Sequence, residues 1–292
     1  MVGLVGVGAM GRGFAANLLA SGFEVRAYDR DPERLAELGQ RGGRPVSSPA
    51  QAAHGARWVL TSLPGHDDVR EVAFGPSGIA DGAGPGLILI DTSTSLPEQS
   101  RSLAAELAER GIRFIDASVS GTGATVMERD VVVLAGGDEK DFADSRELFE
   151  GFSRQAYHLG PVGSGAMGKL AVNVAVVGNR LALAEALTFG ISSGMDPDAL
   201  LAILKDGASY SRAMDLKGEK MIRRDYRPES TLGQSVHGCD LLLEQGRDAG
   251  APMFLTSLYA QIAQVAVRMG HEGSDPAAVI EALLAMSSTA ER

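Results

Sequence analysis

The segment VGLVGVGAMG, residues 2–11, is the strongest indication of the fold in this sequence. An apolar strand leads into the glycine pattern G-x-G-x-x-G, and a helical pattern follows over residues 11–21. In a strand–turn–helix unit, such glycines let the backbone approach a pyrophosphate at the N-terminus of the helix. The pattern therefore predicts a dinucleotide loop, with a tight turn that binds nothing as the alternative. The residues of this loop are Gly6, Val7, Gly8, Ala9, Met10 and Gly11.

A carboxylate follows the second predicted strand, residues 24–28. Asp29 lies roughly 20 residues beyond the glycines, where an acidic residue binds the ribose hydroxyls of NAD. At intermediate dielectric, this carboxylate repels a 2′-phosphate by ~4 kcal/mol. The next residue, Arg30, can pair with a 2′-phosphate or remain a solvated surface charge. The sequence therefore favours NAD and leaves NADP possible.

Short apolar runs alternate with helical patterns through the first 160 residues. This alternation predicts a parallel sheet with helices on both faces, in the doubly wound arrangement of Rossmann-type domains. The predicted strands are 2–7, 24–28, 58–62, 87–91, 113–117 and 131–135, and the predicted helices are 11–21, 32–38, 97–110 and 140–149.

Only helical patterns follow Gly160. The predicted helices are 166–192, 198–204, 216–223, 239–249, 254–269 and 276–285. The first is apolar around most of its circumference and needs cover, which a second subunit can provide, so we expect a homodimer or homotetramer. The fold class predicted is α/β. A Rossmann-type domain, 1–162, precedes an all-helical substrate and dimerisation domain, 163–292, and the long helix joins them.

Composition narrows the class of protein further. The formal net charge of −10 argues against a broad basic face for nucleic acid or anionic lipid. A single cysteine, Cys239, excludes an internal disulfide framework and fits a reducing compartment. Cysteine and histidine do not occur at zinc spacing, so no metal is expected.

Location can also be predicted from the sequence. No cationic segment precedes the first apolar residues, which argues against a signal peptide. The longest apolar stretch, near residues 170–191, contains Asn173, Asn179, Arg180 and Glu185, which indicates burial in protein rather than in lipid. We therefore expect a cytoplasmic protein with no membrane partner.

Five motifs in order carry a resemblance to a known family. They are GVGAMG (6–11), TSLP (61–64), DTSTSLP (91–97), DASVSGT (116–122) and GPVGSGAMGK (160–169), the last followed by Asn173. The chain resembles the β-hydroxyacid dehydrogenases, which include 3-hydroxyisobutyrate dehydrogenase and tartronate semialdehyde reductase. The resemblance runs along the whole length.

The resemblance implies NAD(P)-dependent hydride transfer between nicotinamide and a small β-hydroxy acid or its semialdehyde. It implies that one group of residues borders the cofactor and that another binds the substrate carboxylate. The former are Leu63, Pro64, Ser93 and Thr94, and the latter are Ser120, Gly121 and Thr122. It also implies that Lys169 is the catalytic lysine and that Asn173 orients the substrate.

The residues themselves favour the same chemistry. Lys169 and Asn173 are four apart and share one helix face, next to glycines that let a ligand come close. If its pKa is lowered, Lys169 can exchange the proton of the substrate hydroxyl. The alternative is that Lys169 is an ordinary surface lysine whose side chain extends into solvent. The loop 120–123 follows a strand and offers hydroxyl and N–H groups to a carboxylate, with a plain turn as the alternative.

The chain also departs from the family pattern. The family's K-D-L string is CDL here, residues 239–241, so the side chain in place of the lysine carries no positive charge. Cys239 is either a difference in the substrate site, where His237 could replace the lysine as a donor, or an ordinary buried residue. The segment 229–238 looks longer than usual and lacks the expected aromatic residue. Ser118 and Thr122 replace Pro and Gly. These differences predict a substrate other than 3-hydroxyisobutyrate.

Two other functions remain as alternatives. Imine reductases, which use NADPH, share the architecture but usually lack the lysine found here at Lys169. A cofactor-binding interaction protein without turnover is the more remote alternative, since relatives of that kind have lost the lysine.

Overall fold

The chain forms two compact units, and each is described by itself. The first unit is Met1–Lys169 and the second begins at Leu170. The computed structural model describes residues 1–228 and 230–287. Glu229, in the segment predicted to be longer than usual, and residues 288–292, at the end of the predicted second domain, lie outside the described residues. The predicted boundary between residues 162 and 163 stays a prediction.

The first unit is built on an eight-stranded sheet with the order β3-β2-β1-β4-β5-β6-β7-β8. The strand order reverses between β1 and β4, as in doubly wound folds, so the predicted fold class is confirmed. The strands are β1 Val2–Val5, β2 Val25–Tyr28, β3 Arg44–Pro45, β4 Trp58–Thr61, β5 Ile88–Asp91, β6 Arg113–Ser120, β7 Val132–Gly137 and β8 Gln155–His158.

One strand pair runs against the predicted direction. Strands β6 and β7 are antiparallel, with Ser120 opposite Val132, whereas all other neighbouring strands are parallel. Only residues 121–131 connect the two strands. A parallel crossover needs roughly a dozen residues or more, usually including a helix, so this short connection suits an antiparallel pair.

Helices cover both faces of the sheet. Leu4, Leu60 and Ile90 belong to one buried apolar cluster, and the adjacent Val59 and Leu89 belong to the cluster on the other face. Strands buried on both faces give continuous apolar runs, which is the pattern in the sequence. The helices are α1 Ala9–Ala20, α2 Pro32–Gln40, α3 Pro49–Ala53, α4 His66–Phe74, α5 Ile79–Gly82, α6 Pro97–Ala108, α7 Gly123–Met127, α8 Glu139–Asp144 and α9 Arg146–Phe152.

The regular elements among the described residues of the second unit are all helical, as predicted. Its first helix, α10 (Ser164–Ser192), starts in the first unit. The others are α11 Pro197–Asp206, α12 Glu219–Arg223, α13 Leu232–Asp248, α14 Phe254–Ala266 and α15 Val279–Met286, with π-helical turns at Met214–Gly218 and Val267–His271 and a 3₁₀ turn at Pro276–Ala278.

Helix α10 is long and apolar enough to cross a membrane by length and composition alone, a test that core helices also pass. In the middle of this helix, Arg180 donates hydrogen bonds to Ser235 and Tyr259, so this stretch packs against α13 and α14. Its other side is bare in the single chain, since Phe189 is 73% exposed. The cover that the sequence predicts for this helix is therefore incomplete within one chain.

Candidate cofactor and substrate site

The glycine loop lies between β1 and α1, at the reversal of strand order. Gly6 has a φ of +95°, and a Cβ at this position would overlap the carbonyl oxygen of Ser62. A Cβ on Gly11 would overlap the carbonyl oxygen of Gly6. These two glycines are therefore required by the protein's own packing, and they keep the loop tight against the start of the helix.

Gly8 is not required by packing. Its φ is −69°, and the nearest atom to a Cβ added at this position would be Arg34 Nη1 at 3.8 Å. The space above Gly8 is therefore open, at a helix N-terminus that points unpaired N–H groups outward. This open cradle fits the pyrophosphate of a dinucleotide.

A cavity of about 600 Å³ opens beside the loop. Four of the six predicted loop residues line it, namely Gly6, Gly8, Ala9 and Met10, and so do Asp29, Arg30, Leu63 and Pro64. The other two loop residues, Val7 and Gly11, are buried. Tyr28, Asp31, Arg34 and Asp68 also line the cavity and were not predicted as site residues.

Asp29 is held rigidly at the cavity wall. Its Oδ2 accepts a hydrogen bond from the backbone N–H of Val7 at 2.6 Å, and its Oδ1 accepts one from Asp31 N–H at 2.8 Å. The side chain is only 9% exposed. The carboxylate that the sequence assigned to the ribose is thus fixed by the glycine loop itself.

A polar network joins the ends of β4 and β5. Asp91 is buried, and its Oδ1 accepts hydrogen bonds from Thr61 Oγ1 at 2.8 Å and from Ser93 N–H at 2.9 Å. Ser93 Oγ in turn accepts one from Leu63 N–H at 3.0 Å. Burial raises the pKa of Asp91. The network joins Leu63 and Ser93, two of the residues predicted to border the cofactor. Ser93 itself is buried and Thr94 is exposed, and neither Ser93 nor Thr94 lines the cavity.

The predicted carboxylate loop begins where β6 ends, at Ser120. Thr122 caps α7, because its Oγ1 accepts a hydrogen bond from Thr125 N–H at 3.3 Å. The hydroxyl hydrogen of Thr122 therefore remains available to donate a hydrogen bond to a ligand. A Cβ on Gly123 would lie 3.2 Å from the Cβ of Ala9, so this loop adjoins the dinucleotide loop. Ser120 is half-buried and Gly121 is exposed.

Lys169 reaches this same loop. Its Nζ donates a hydrogen bond to the carbonyl oxygen of Val119 at 2.8 Å, directly before Ser120. Burial lowers the pKa of the Lys169 ammonium. Among the residues that the structure describes, no carboxylate lies within ion-pair distance of it. The amine is therefore partly desolvated, has no carboxylate partner among these residues and lies at the end of β6, where the loop begins.

Asp116 anchors the helix that carries this lysine. Its two carboxyl oxygens accept hydrogen bonds from Gly163 N–H and Ala166 N–H, each at 2.8 Å. A Cβ on Gly165 would overlap the carbonyl oxygens of Asp116 and Leu134, so glycine is needed for this close approach. The start of α10 is thereby fixed to β6, three residues before Val119. Sequence reasoning did not identify Asp116 as a site residue.

The stability of the protein should depend on pH through Asp116. Burial raises the pKa of Asp116 to about 6 from an ordinary value of 3.8. Between these values the folded protein binds a proton that the unfolded chain has lost, so stability is present at lower pH and is lost as pH rises through about 6. The loss amounts to about 3 kcal/mol. Asp116→Asn does not titrate and should lack this component in thermal unfolding at pH 4, 5, 6 and 7. Parallel curves for the two proteins would contradict the assignment.

The predicted residues of the second unit have different environments. Asn173 lies one turn beyond Lys169 on α10 and is half-buried. Cys239 is fully buried in the helical core, and burial raises the pKa of its thiol to about 11, as expected for an ordinary core residue. His237 is exposed.

The sheet order, the glycine cradle and the fixed carboxylate define a protein with a Rossmann-type dinucleotide-binding unit. Residues 1–160 match the family described as the NAD binding domain of 6-phosphogluconate dehydrogenase. Residues 163–283 match the family described as NAD-binding of NADP-dependent 3-hydroxyisobutyrate dehydrogenase. The chain belongs to the β-hydroxyacid dehydrogenase family and is an NAD(P)-dependent hydroxy-acid dehydrogenase.

Individual proteins are similar over nearly the full chain. An L-threonate dehydrogenase from Cupriavidus necator is 31% identical over 282 residues, which cover 96% of this chain and 95% of the relative. The mitochondrial 3-hydroxyisobutyrate dehydrogenase of Mus musculus is 31% identical over 97% of this chain and 86% of its own length. A solved 3-hydroxyisobutyrate dehydrogenase from Salmonella typhimurium has a TM-score of 0.86 at 24% identity, covering 96% of this chain and 98% of that one, and shares the fold.

Proposed function

We propose that the protein interconverts a small hydroxy acid and its carbonyl form, with Lys169 exchanging the proton of the reacting hydroxyl. The observation that carries this proposal is the hydrogen bond from Lys169 Nζ to Val119 O, which holds a partly buried amine beside the Ser120 loop. When bound, the nicotinamide accepts or supplies the hydride. The residues of the chain bind the carboxylate, hold the hydroxyl and move the proton.

The direction of proton transfer depends on the charge of Lys169. In oxidation, the neutral amine takes the hydroxyl proton as hydride leaves the carbon. In reduction, the ammonium returns a proton to the carbonyl oxygen. Burial lowers the pKa of the amine, which makes both forms accessible closer to neutral pH than for an exposed lysine. Asp116 acts indirectly, because it positions the start of α10 and contacts no reacting atom.

The substrate carboxylate is proposed to bind the Ser120–Thr122 loop. The hydroxyls of Ser120 and Thr122 can donate to its oxygens, and Gly121 between them is needed for packing, since a Cβ there would overlap Val131. Asn173, one turn beyond the lysine, is proposed to donate to the reacting hydroxyl or to another group of the substrate.

The substrate class is a small acid with a hydroxyl close to its carboxylate. The relatives are named for L-threonate, 2-(hydroxymethyl)glutarate and 3-hydroxyisobutyrate, and all three acids fit that description. Thr122 stands in place of glycine in the loop, and Cys239, in place of the family's lysine, is buried in the helical core and supplies no cation. We therefore propose a substrate other than 3-hydroxyisobutyrate.

A spectrophotometric screen tests this function. Each of the three acids is offered with NAD and with NADP, beside its uncharged amide as a matched control. We expect turnover of at least one hydroxy acid other than 3-hydroxyisobutyrate and weak or no turnover of its amide, because the amide lacks the charge that the loop binds. Reduction of a cyclic imine without turnover of any hydroxy acid, or binding of cofactor without turnover in a broad carbonyl screen, would overturn the proposal.

We also propose that a second copy of the chain, and not lipid, covers the bare side of α10. The support is the 73% exposure of Phe189 together with the polar Asn179, Arg180 and Glu185 along the same helix. Size-exclusion chromatography with light scattering, without detergent, should give a dimer or tetramer that Phe189→Asp weakens. A wild-type monomer at low micromolar concentration would contradict this.

A further inference from the structure

Charged side chains are crowded at the end of the cavity where Asp29 lies. Arg30, Asp31, Arg34 and Asp68 line the cavity together with Asp29. Glu71, from the same helix as Asp68, contacts Arg30. Four carboxylates thus face two guanidinium groups, and the local charge is negative.

Both guanidinium groups are already paired with carboxylates. Arg30 Nη2 donates to Glu71 Oε2 at 2.6 Å, and Arg30 Nη1 lies 4.0 Å from Asp68 Oδ1. Arg34 Nε lies 3.1 Å from Asp31 Oδ2, and its Nη1 lies 3.7 Å from Asp29 Oδ2. No arginine at this end of the described cavity is therefore left unpaired for an incoming anion.

We propose that Glu71, with Asp68, sequesters Arg30 and thereby makes this enzyme select NAD over NADP. Arg30 is a guanidinium next to the ribose-binding carboxylate, in a position to bind a 2′-phosphate. To do so it must leave Glu71, and the phosphate must enter a field that Asp29, Asp31 and Asp68 keep negative. NAD has a hydroxyl at this position, which can donate a hydrogen bond to a carboxylate.

Glu71 is consequently a specificity-determining residue although it does not line the cavity itself. The Arg30–Glu71 pair is exposed, with 63% of each side chain accessible, so it contributes little to the stability of the fold. Removing the charge of Glu71 should therefore release Arg30 without disturbing the structure. This inference rests on the proposed placement of the cofactor at the glycine loop and not on the role of Lys169.

The experiment compares binding of NADH and NADPH by fluorescence titration at low ionic strength, where exposed charges are least screened. Wild type should bind NADH more tightly than NADPH. Glu71→Gln should raise the affinity for NADPH about five-fold, the factor expected for one charge contact in water, and leave that for NADH within about a factor of two. Glu71→Gln with Asp68→Asn should raise it further.

Two further variants make the assignment specific. In the Glu71→Gln background, Arg30→Ala should cancel the gain in NADPH affinity, because the gain comes from the released guanidinium. Glu106→Gln is the matched control: Glu106 pairs at 2.8 Å with Arg70, which lies on the same helix α4 as Glu71, and neither Glu106 nor Arg70 lines the cavity. It should change neither affinity.

Other outcomes count against the proposal in distinguishable ways. An unchanged NADPH affinity in Glu71→Gln, a gain that survives Arg30→Ala, or a wild type that prefers NADPH overturns the role of Glu71 and leaves the dehydrogenase assignment intact. A wild type that binds neither nucleotide overturns the cofactor placement and this inference with it.

Discussion

Lys169→Ala should lower kcat by about 10²- to 10⁴-fold, the range that general acid–base groups contribute. The variant loses the only group proposed to exchange the hydroxyl proton. Alanine leaves the hydrogen bond to Val119 O unmade, but it removes no contact from the glycine loop or from Asp29. NADH affinity should therefore stay close to that of wild type, and the loss should appear in the rate of turnover.

Lys169→Arg separates proton transfer from positive charge. A guanidinium keeps the charge and the donors but is not deprotonated in proteins, so oxidation should not be rescued at any pH. In wild type, oxidation should rise with pH as the amine becomes neutral, and reduction should fall, with a midpoint below the ordinary lysine pKa because burial lowers the pKa of Lys169.

Lys140→Ala is the matched control for both variants, since Lys140 is an exposed lysine of the same unit. It should retain the activity and the pH profile of wild type. Full turnover by Lys169→Ala, or an unchanged profile in Lys169→Arg, would remove Lys169 from the mechanism.

Gly8→Ala should weaken NADH binding by about ten-fold or more, since a methyl group would occupy the open cradle that the pyrophosphate needs. The folded protein should be as stable as wild type. The φ of Gly8 is −69°, which alanine adopts readily, and the nearest atom beyond the adjoining backbone, Arg34 Nη1, lies 3.8 Å from the added carbon. The variant thus tests binding without testing folding.

Alanine substitutions at two other glycines serve as controls for Gly8→Ala. Gly84→Ala adds a methyl group with nothing within 4 Å and away from the cavity, so it should change neither stability nor binding. Gly11→Ala would overlap the carbonyl oxygen of Gly6 and should destabilise the fold itself. Equal NADH affinity for Gly8→Ala and wild type would show that the dinucleotide does not lie over this loop.

The central strands could be predicted from the sequence because burial on both faces gives apolar runs, and β1, β4 and β5 are completely buried. The edge strands could not. Both residues of β3 are exposed, and β8 alternates between exposed and half-buried positions, so neither has an apolar pattern. The predicted helix 140–149 is wrong as a single element, because the backbone of Ser145 leaves the helical region between α8 and α9.

Two further differences between the predicted and the observed elements could have been inferred from the sequence. Helix α13 begins at Leu232, seven residues before the predicted start at Cys239, and its capping box of Thr231 and Gln234 is visible in the sequence. The reversal of β7 could have been inferred from the short connection after Ser120.

The placement of the candidate site residues in the fold was predictable where a motif is local. Gly8, Asp29 and the Ser120 loop follow strand ends, so their common edge follows from a parallel sheet. Asp116 was missed because its partners, Gly163 and Ala166, are 47 and 50 residues away and contribute only backbone N–H groups, which no side-chain pattern reports. The pairing of Arg30 with Glu71 likewise spans 41 residues on the surface.

The antiparallel β6–β7 pair makes the segment 121–131 a short excursion from the sheet. Because Ser120 lies opposite Val132, the segment 121–131 leaves the sheet and returns to it at the same edge. It can be lengthened, shortened or replaced without rethreading a crossover or shifting the register of any other strand. A change in this segment would nevertheless reach the dinucleotide-binding helix α1, because Asn17 donates a hydrogen bond to Val126 O and Gly13 packs against the Val126 side chain.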